Sequence, residues 1–284
     1  MKKRLLLVLA VPALLLTACG GNGGVNVKGT VDNGREITSE EKQAITNVEE
    51  AKKETAETVA KRGVNVKSRS LTLQKTTSSY SGQSVTTENK QDLNFDIEIG
   101  IETPSVSVKT NGSQYYAAAG QSATGNIEGL SDATKASGAW VINNDYQKIS
   151  MAGQESREDN VLFQGSTQTV EGYYRSCIEG LYSWDFDFDF AKAKSAASQY
   201  GIGDLLDKIV IGGTPSTGTF EVGLSEAYNV SMVGGTLKFY KLRYSYKDNL
   251  LQEYAIGFEA SSASSEYNYS TTVQLEMDFS ISYK

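Results

Sequence analysis

Residues 267–283 read YNYSTTVQLEMDFSISY, and this stretch decides the fold. Tyr267, Tyr269, Thr271, Val273, Leu275, Met277, Phe279, Ile281 and Tyr283 alternate with Asn, Ser, Thr, Gln, Glu and Asp. A side-chain period of two belongs to a β-strand with one face buried and the other wet. At about 3.3 Å per residue the stretch would span ~55 Å, where an ordinary strand has about five or six residues. A strand that long must bend or coil, so the sheet it belongs to is expected to be strongly curved.

The same period recurs upstream. Lys238–Tyr246 and Leu250–Phe258 flank Lys247-Asp248-Asn249, a hairpin signal, and with the last strand they predict a three-strand meander. Leu93, Phe95, Ile97, Ile99 and Ile101 form another alternating run. Asn111-Gly112, between Val106–Lys109 and Gln114–Ala118, reads as a type I′ hairpin turn. Residues 121–139 are rich in Gly, Ser and Ala with weak periodicity and read as loop.

Helical spacing appears in three places. Thr38 and Glu41 form a capping box that opens a helix running to about Lys61, with Gly63 past its end and Glu49–Lys53 and Glu57–Lys61 pairs on its wet face. Tyr174, Cys177, Ile178, Leu181 and Tyr182 recur at helical spacing, and Asp189–Tyr200 is an Ala-rich helix ended by Gly201 and Gly203. The expected architecture is α+β: a curved, half-barrel-like antiparallel sheet, with an N-terminal helix and a helical insertion packed on one face. Residues 37–284 form one such domain.

The N-terminus carries a different message. Met1-Lys2-Lys3-Arg4 precedes an apolar run from Leu5 to Leu16, the pattern of a secretory signal and too short for a permanent membrane span. Leu16-Thr17-Ala18-Cys19-Gly20 resembles the lipobox of bacterial lipoproteins. The resemblance implies that residues 1–18 are removed and that Cys19 receives a diacylglyceryl group through its sulfur. Only a thiol can form that thioether. Residues 19–36, rich in Gly and Asn, then read as a flexible tether. The expected location is the extracytoplasmic face of a bacterial membrane, leaning Gram-positive because Gly and not Asp follows the Cys. Loss of Lys2, Lys3 and Arg4 takes the net charge from −7 to −10. Cys177 is left as a lone thiol, so no intrachain disulfide forms.

Several chemistries are disfavoured. The sequence has no His, which removes Ser-His-Asp and Cys-His catalysis and imidazole metal sites. An acidic net charge disfavours nucleic acid as a partner. Trp184 to Asp189 places Asp at alternate positions, yet a calcium loop would need Gly and Glu where Phe190 and Ala196 stand. Ser39–Lys42 matches S-x-x-K without its companion motifs, and the helix cap explains it. Gly201-Ile202-Gly203 lacks the rest of a dinucleotide loop, and Cys177 on an apolar helical face reads as an inert buried thiol. The reading is therefore not an enzyme, with no cofactor and no metal.

What remains is aromatic and apolar surface: 16 Tyr and 9 Phe, many of them on inward strand faces. The order of lipobox, tether, helix, long strands, helical insertion and terminal meander resembles the LolA/LppX-like group of lipid-binding lipoproteins. The resemblance implies a hydrophobic guest, a lipid or acyl chain, held between the concave sheet and the helices. The residues expected to line that site are Phe95, Ile97, Ile99, Val273, Leu275, Met277 and Phe279 on the sheet, with Tyr174, Ile178 and Leu181 on the lid. The rival reading is a surface adhesion or sensing module with a dry core and its function in loops 77–84, 120–138 and 153–170.

Overall fold

A computed structural model describes residues 27–41, 54–55, 57–80, 83–163, 167–180, 198, 203–215, 218–230, 235–265 and 268–284. Among these residues lie twelve strands: β1 (Val64–Tyr80), β2 (Gln83–Gly100), β3 (Ser105–Ala118), β4 (Gln121–Ala136), β5 (Ala139–Met151), β6 (Gln154–Asp159), β7 (Ile209–Thr214), β8 (Thr219–Leu224), β9 (Tyr228–Val230), β10 (Gly235–Lys247), β11 (Leu250–Ser264) and β12 (Tyr269–Tyr283). All belong to one antiparallel sheet in the order β6-β5-β4-β3-β2-β1-β12-β11-β10-β8-β7, with β9 pairing β10 off this path. Two meanders thus run outward from the centre, where the first strand pairs the last from Val64↔Tyr283 to Ser78↔Tyr269.

The expected α+β class is overturned. Among the described residues helix is confined to Thr167–Gly180, a short 3₁₀ turn at Gly203–Lys208 and short stretches within 39–62 and at 198, against twelve strands. The error lies in segments whose composition hides their strands. Residues 121–139, read as loop, are β4 and the start of β5. Asn111-Gly112, read as a turn, sits inside β3, paired with Asn94 and Leu93 of β2. Glycine is needed there for close approach, since a Cβ on Gly112 would lie 2.8 Å from the Leu93 Cα. Gly and Ser carry no β signal, so strands that contain them at close approaches are not announced by composition.

Other expectations hold. The terminal meander of β10, β11 and β12 is present, and Asp248 and Asn249, both at positive φ, make its first turn. β12 begins at Tyr269, two residues later than the alternation suggested. The capping box is reciprocal: the Glu41 N–H donates to Thr38 Oγ1 at 3.2 Å and the Thr38 N–H to Glu41 Oε2 at 3.1 Å. Gly63 ends the helical residues 57–62 with φ of +78°, its N–H donating to the Val59 carbonyl at 2.8 Å. The signal segment, Cys19, residues 42–53, Leu181, the acidic-aromatic run at 184–189 and the Asp189–Tyr200 helix lie outside the described residues.

Residues 19–26 of the stretch read as tether lie outside the described residues, and the rest of it is packed. Residues 27–36 do not trail from the domain but lie against the sheet, with Val27 and Val31 buried. The two sheet edges are managed differently. β6, QESRED, is short, exposed and charged, whereas Arg35 exchanges backbone hydrogen bonds with Ile211 of β7 at 3.0 and 2.9 Å.

Candidate ligand-binding face

Cross-strand register collects the inner face into rows. Met277 opposes Ile256 and Ser70, and Leu275 opposes Phe258 and Thr72. Farther round, Ile97 opposes Val108, Ile99 opposes Val106, and Val106 opposes Ala133. The face has two ends. At the closed end lie the β2–β3, β4–β5 and β10–β11 turns and the C-terminal residue. At the open end lie the β1–β2, β3–β4, β5–β6 and β11–β12 turns.

The helix Thr167–Gly180 covers the closed end. Val170 and Cys177 are buried in the core, and Tyr174 packs against Trp140 of β5 with ring centroids 5.1 Å apart while donating its hydroxyl to the Gly100 carbonyl at 3.1 Å. Glu171 is the clasp. It accepts from the Trp140 indole N–H, from Lys135 Nζ at 3.0 Å and from Arg175 Nε at 3.1 Å, and these donors, the indole first, hold its carboxyl down to about 2. Burial pushes the Cys177 thiol up to about 12. Asp145 of β5 fixes the segment that leads into the helix, accepting from Ser131 Oγ and from the Leu162 and Phe163 N–H groups.

Nine of the ten residues named from sequence lie in or against one apolar core, in two groups. Ile97, Ile99, Leu275, Met277 and Phe279 are buried in the core. Phe279 is part of an aromatic run through Tyr254, Tyr244 and Phe220, with centroids 6.0, 5.0 and 5.2 Å apart. Phe95, Val273, Tyr174 and Ile178 are partly buried against that core, and Leu181 lies outside the described residues. Sequence reasoning missed Trp140, Glu171, Lys135 and Asp145, because each acts through a partner brought from a distant part of the sequence.

Toward the open end the inner face changes character. Ser70, Thr72, Gln91, Leu93, Phe95, Thr110, Gln114 and Ile149 are all half-buried, a mixed row of hydroxyl, amide and apolar side chains referred to below as the gutter. At its mouth Val85, Tyr116 and Tyr269 are exposed, Tyr116 to 50 %, and strand alternation places all three on the inner face. Of the loops assigned to the rival reading, 120–138 is β4 with its flanking turns, and 153–170 contains β6 and the start of the helix. Among the described residues no group of three or more Cys, Asp or Glu could hold a metal ion, and no helix is long and apolar enough to cross a membrane.

No protein-family profile and no curated protein sequence matches this one. Among solved structures, the translocator domain of the autotransporter NalP from Neisseria meningitidis is similar at 8 % identity and TM-score 0.19, covering 86 % of this protein and 98 % of that one. A β-barrel-like protein of the DUF1849 domain from Brucella abortus gives 7 % and 0.17, covering 78 % and 99 %. A DUF1329 family protein from Desulfovibrio piger gives 8 % and 0.15, covering 84 % and 93 %. Values this low leave the architecture to be argued from its own strand order.

Proposed function

We propose that the protein is a bacterial lipoprotein, anchored through Cys19 on the extracytoplasmic face of the membrane, whose sheet takes a hydrophobic guest such as an acyl tail along its concave face. The observation that carries the guest is the continuity of the inner face. Its apolar side chains are filled in at the closed end, become half-open at Leu93 and Phe95, and end in exposed Val85, Tyr116 and Tyr269. Each acyl CH₂ moved from water onto such a surface contributes about 0.8 kcal/mol. The guest lies in the gutter and not among Ile97, Met277 and Phe279, which already fill one another's space. The anchor rests on the basic start, the short apolar run and Cys19.

The test is direct. Full-length protein purified from bacterial membranes is extracted with organic solvent and titrated with a fluorescent fatty acid. Released lipid and saturable binding are expected, with Leu93→Asp weakening binding by about tenfold or more, the loss of roughly two CH₂ contacts. Protein that carries no lipid and binds no fatty acid overturns the guest. The filled core at the closed end favours, in that event, the second reading: a surface interaction module that uses its strands as a rigid scaffold.

A further inference from the structure

On the outer face of the sheet, opposite the core, a line of residues crosses the strands. One row reads Val210, Gly223, Lys241, Gly257 and Glu276 through successive cross-strand pairs of β7, β8, β10, β11 and β12. Glycines open the row, and residues 27–36 lie over it. A Cβ on Gly257 would fall 2.9 Å from Val27 Cγ2, one on Gly212 2.8 Å from Val31 Cγ1, and one on Gly34 3.1 Å from the Val210 Cβ. The fit is reciprocal: two valines of the segment sit over glycines of the sheet, and a valine of the sheet sits against a glycine of the segment.

Polar contacts run along the same line. The Val31 N–H donates to the Leu224 carbonyl at 3.0 Å, and Lys28 pairs with Glu276 at 3.3 Å. Lys241, only 3 % exposed, reaches the Thr30 carbonyl at 3.5 Å and Glu221 at 3.8 Å. Arg35 completes the line with its backbone exchange to Ile211 and a side-chain hydrogen bond to the Gly213 carbonyl at 3.3 Å. A buried lysine needs such partners: Glu221 of β8 pairs its charge, and the segment adds the Thr30 carbonyl as a second acceptor.

We propose that residues 27–36 are a strap seated along this line of glycines, so that the connection from Cys19 reaches the domain at β11, on its outer face. The eight residues 19–26, at about 3.3 Å each, allow a reach of ~26 Å at most, less than half that of the full Gly- and Asn-rich stretch. The inference rests on the anchor at Cys19 proposed above, and its test separates the two. Membranes bearing the full-length protein are treated with trypsin, and cleavage after Lys28 and Arg35 is followed by mass spectrometry together with release of the domain. Native protein is expected to be cut at these sites about tenfold or more slowly than the Val27→Asp/Val31→Asp double variant or Gly257→Val. Both substitutions of the double variant lie on the strap, so circular dichroism of that variant should retain the β spectrum even if Gly257→Val does not fold. Equal cleavage rates in native and variant protein overturn the strap. Protein absent from the membrane fraction overturns the anchor, while the cleavage rates of the soluble form still decide the strap.

Discussion

The Asp145 carboxylate stands 2.8 Å from the backbone nitrogen of Phe163, and this contact holds the backbone as it leaves β6 for the helix over the sheet. Its other oxygen accepts from the Leu162 N–H at 2.9 Å and from Ser131 Oγ at 2.7 Å. Phe163 itself is fully buried, with Tyr173 packed edge-on at a 5.9 Å centroid distance. Asp145→Ala would leave two backbone donors and a hydroxyl without their acceptor, and a cost of about 2–4 kcal/mol is expected. Urea unfolding measures it. A loss under about 0.5 kcal/mol would show that water replaces the carboxylate without penalty.

Glu171 makes the helix sensitive to acid. Its carboxyl is held at about 2 by the Trp140 indole, Lys135 and Arg175, against an ordinary value of 4.5. The unfolded state therefore binds the proton first as pH falls. The contribution of Glu171 is complete above pH 4.5 and is lost progressively toward about 2. The side chain is partly exposed, so the effect is modest. Glu171→Gln is expected to reduce the slope of stability against pH in this window and to shift Trp140 emission. An unchanged slope in the variant would remove Glu171 as the cause.

Cys177 is expected to be silent in the native state. Burial raises its thiol to about 12, so the thiolate fraction at pH 8 is negligible. A thiol reagent at pH 8 should label Cys177 only as the protein unfolds, with the labelling midpoint in urea following the loss of β signal. Rapid labelling of folded protein would mean that the helix lifts from the sheet faster than the domain unfolds.

The legible parts of this fold are those where one strand face is apolar and the other polar. β12, the first half of β11 and the second half of β2 announce themselves in this way, and so does the Asp248-Asn249 turn. The illegible parts are strands wet on both faces, such as the Ser- and Thr-rich ends of β1 and β2, and strands where close approach to a neighbour requires glycine, such as β3 at Gly112. The strap was hidden for a related reason. Val27 and Val31 are isolated valines among Gly and Asn, and the glycines they sit over, at 257 and 212, are more than 180 residues away. The inner-face residues were legible as a set because they share one parity. Their division into filled core and open gutter was not, since it depends on where the helix lies.

Ser68 carries the last expectation. It sits on β1 opposite Phe279, fully buried, and its hydroxyl has no hydrogen-bond partner among the described residues. A buried hydroxyl that gave up water without a replacement acts against folding. Removing it should be neutral or favourable, because Ala keeps the strand geometry and leaves a gap of one oxygen at most. Ser68→Ala is expected to raise the urea midpoint slightly or leave it unchanged, whereas Met277→Ala, one step along the same face, should cost about 2–5 kcal/mol through the cavity it opens. The comparison isolates polarity from packing at neighbouring sites. A Ser68→Ala variant that loses about 1 kcal/mol or more would mean that the hydroxyl is bonded, and that a polar partner, from the protein or from a guest, reaches the inner face at this point.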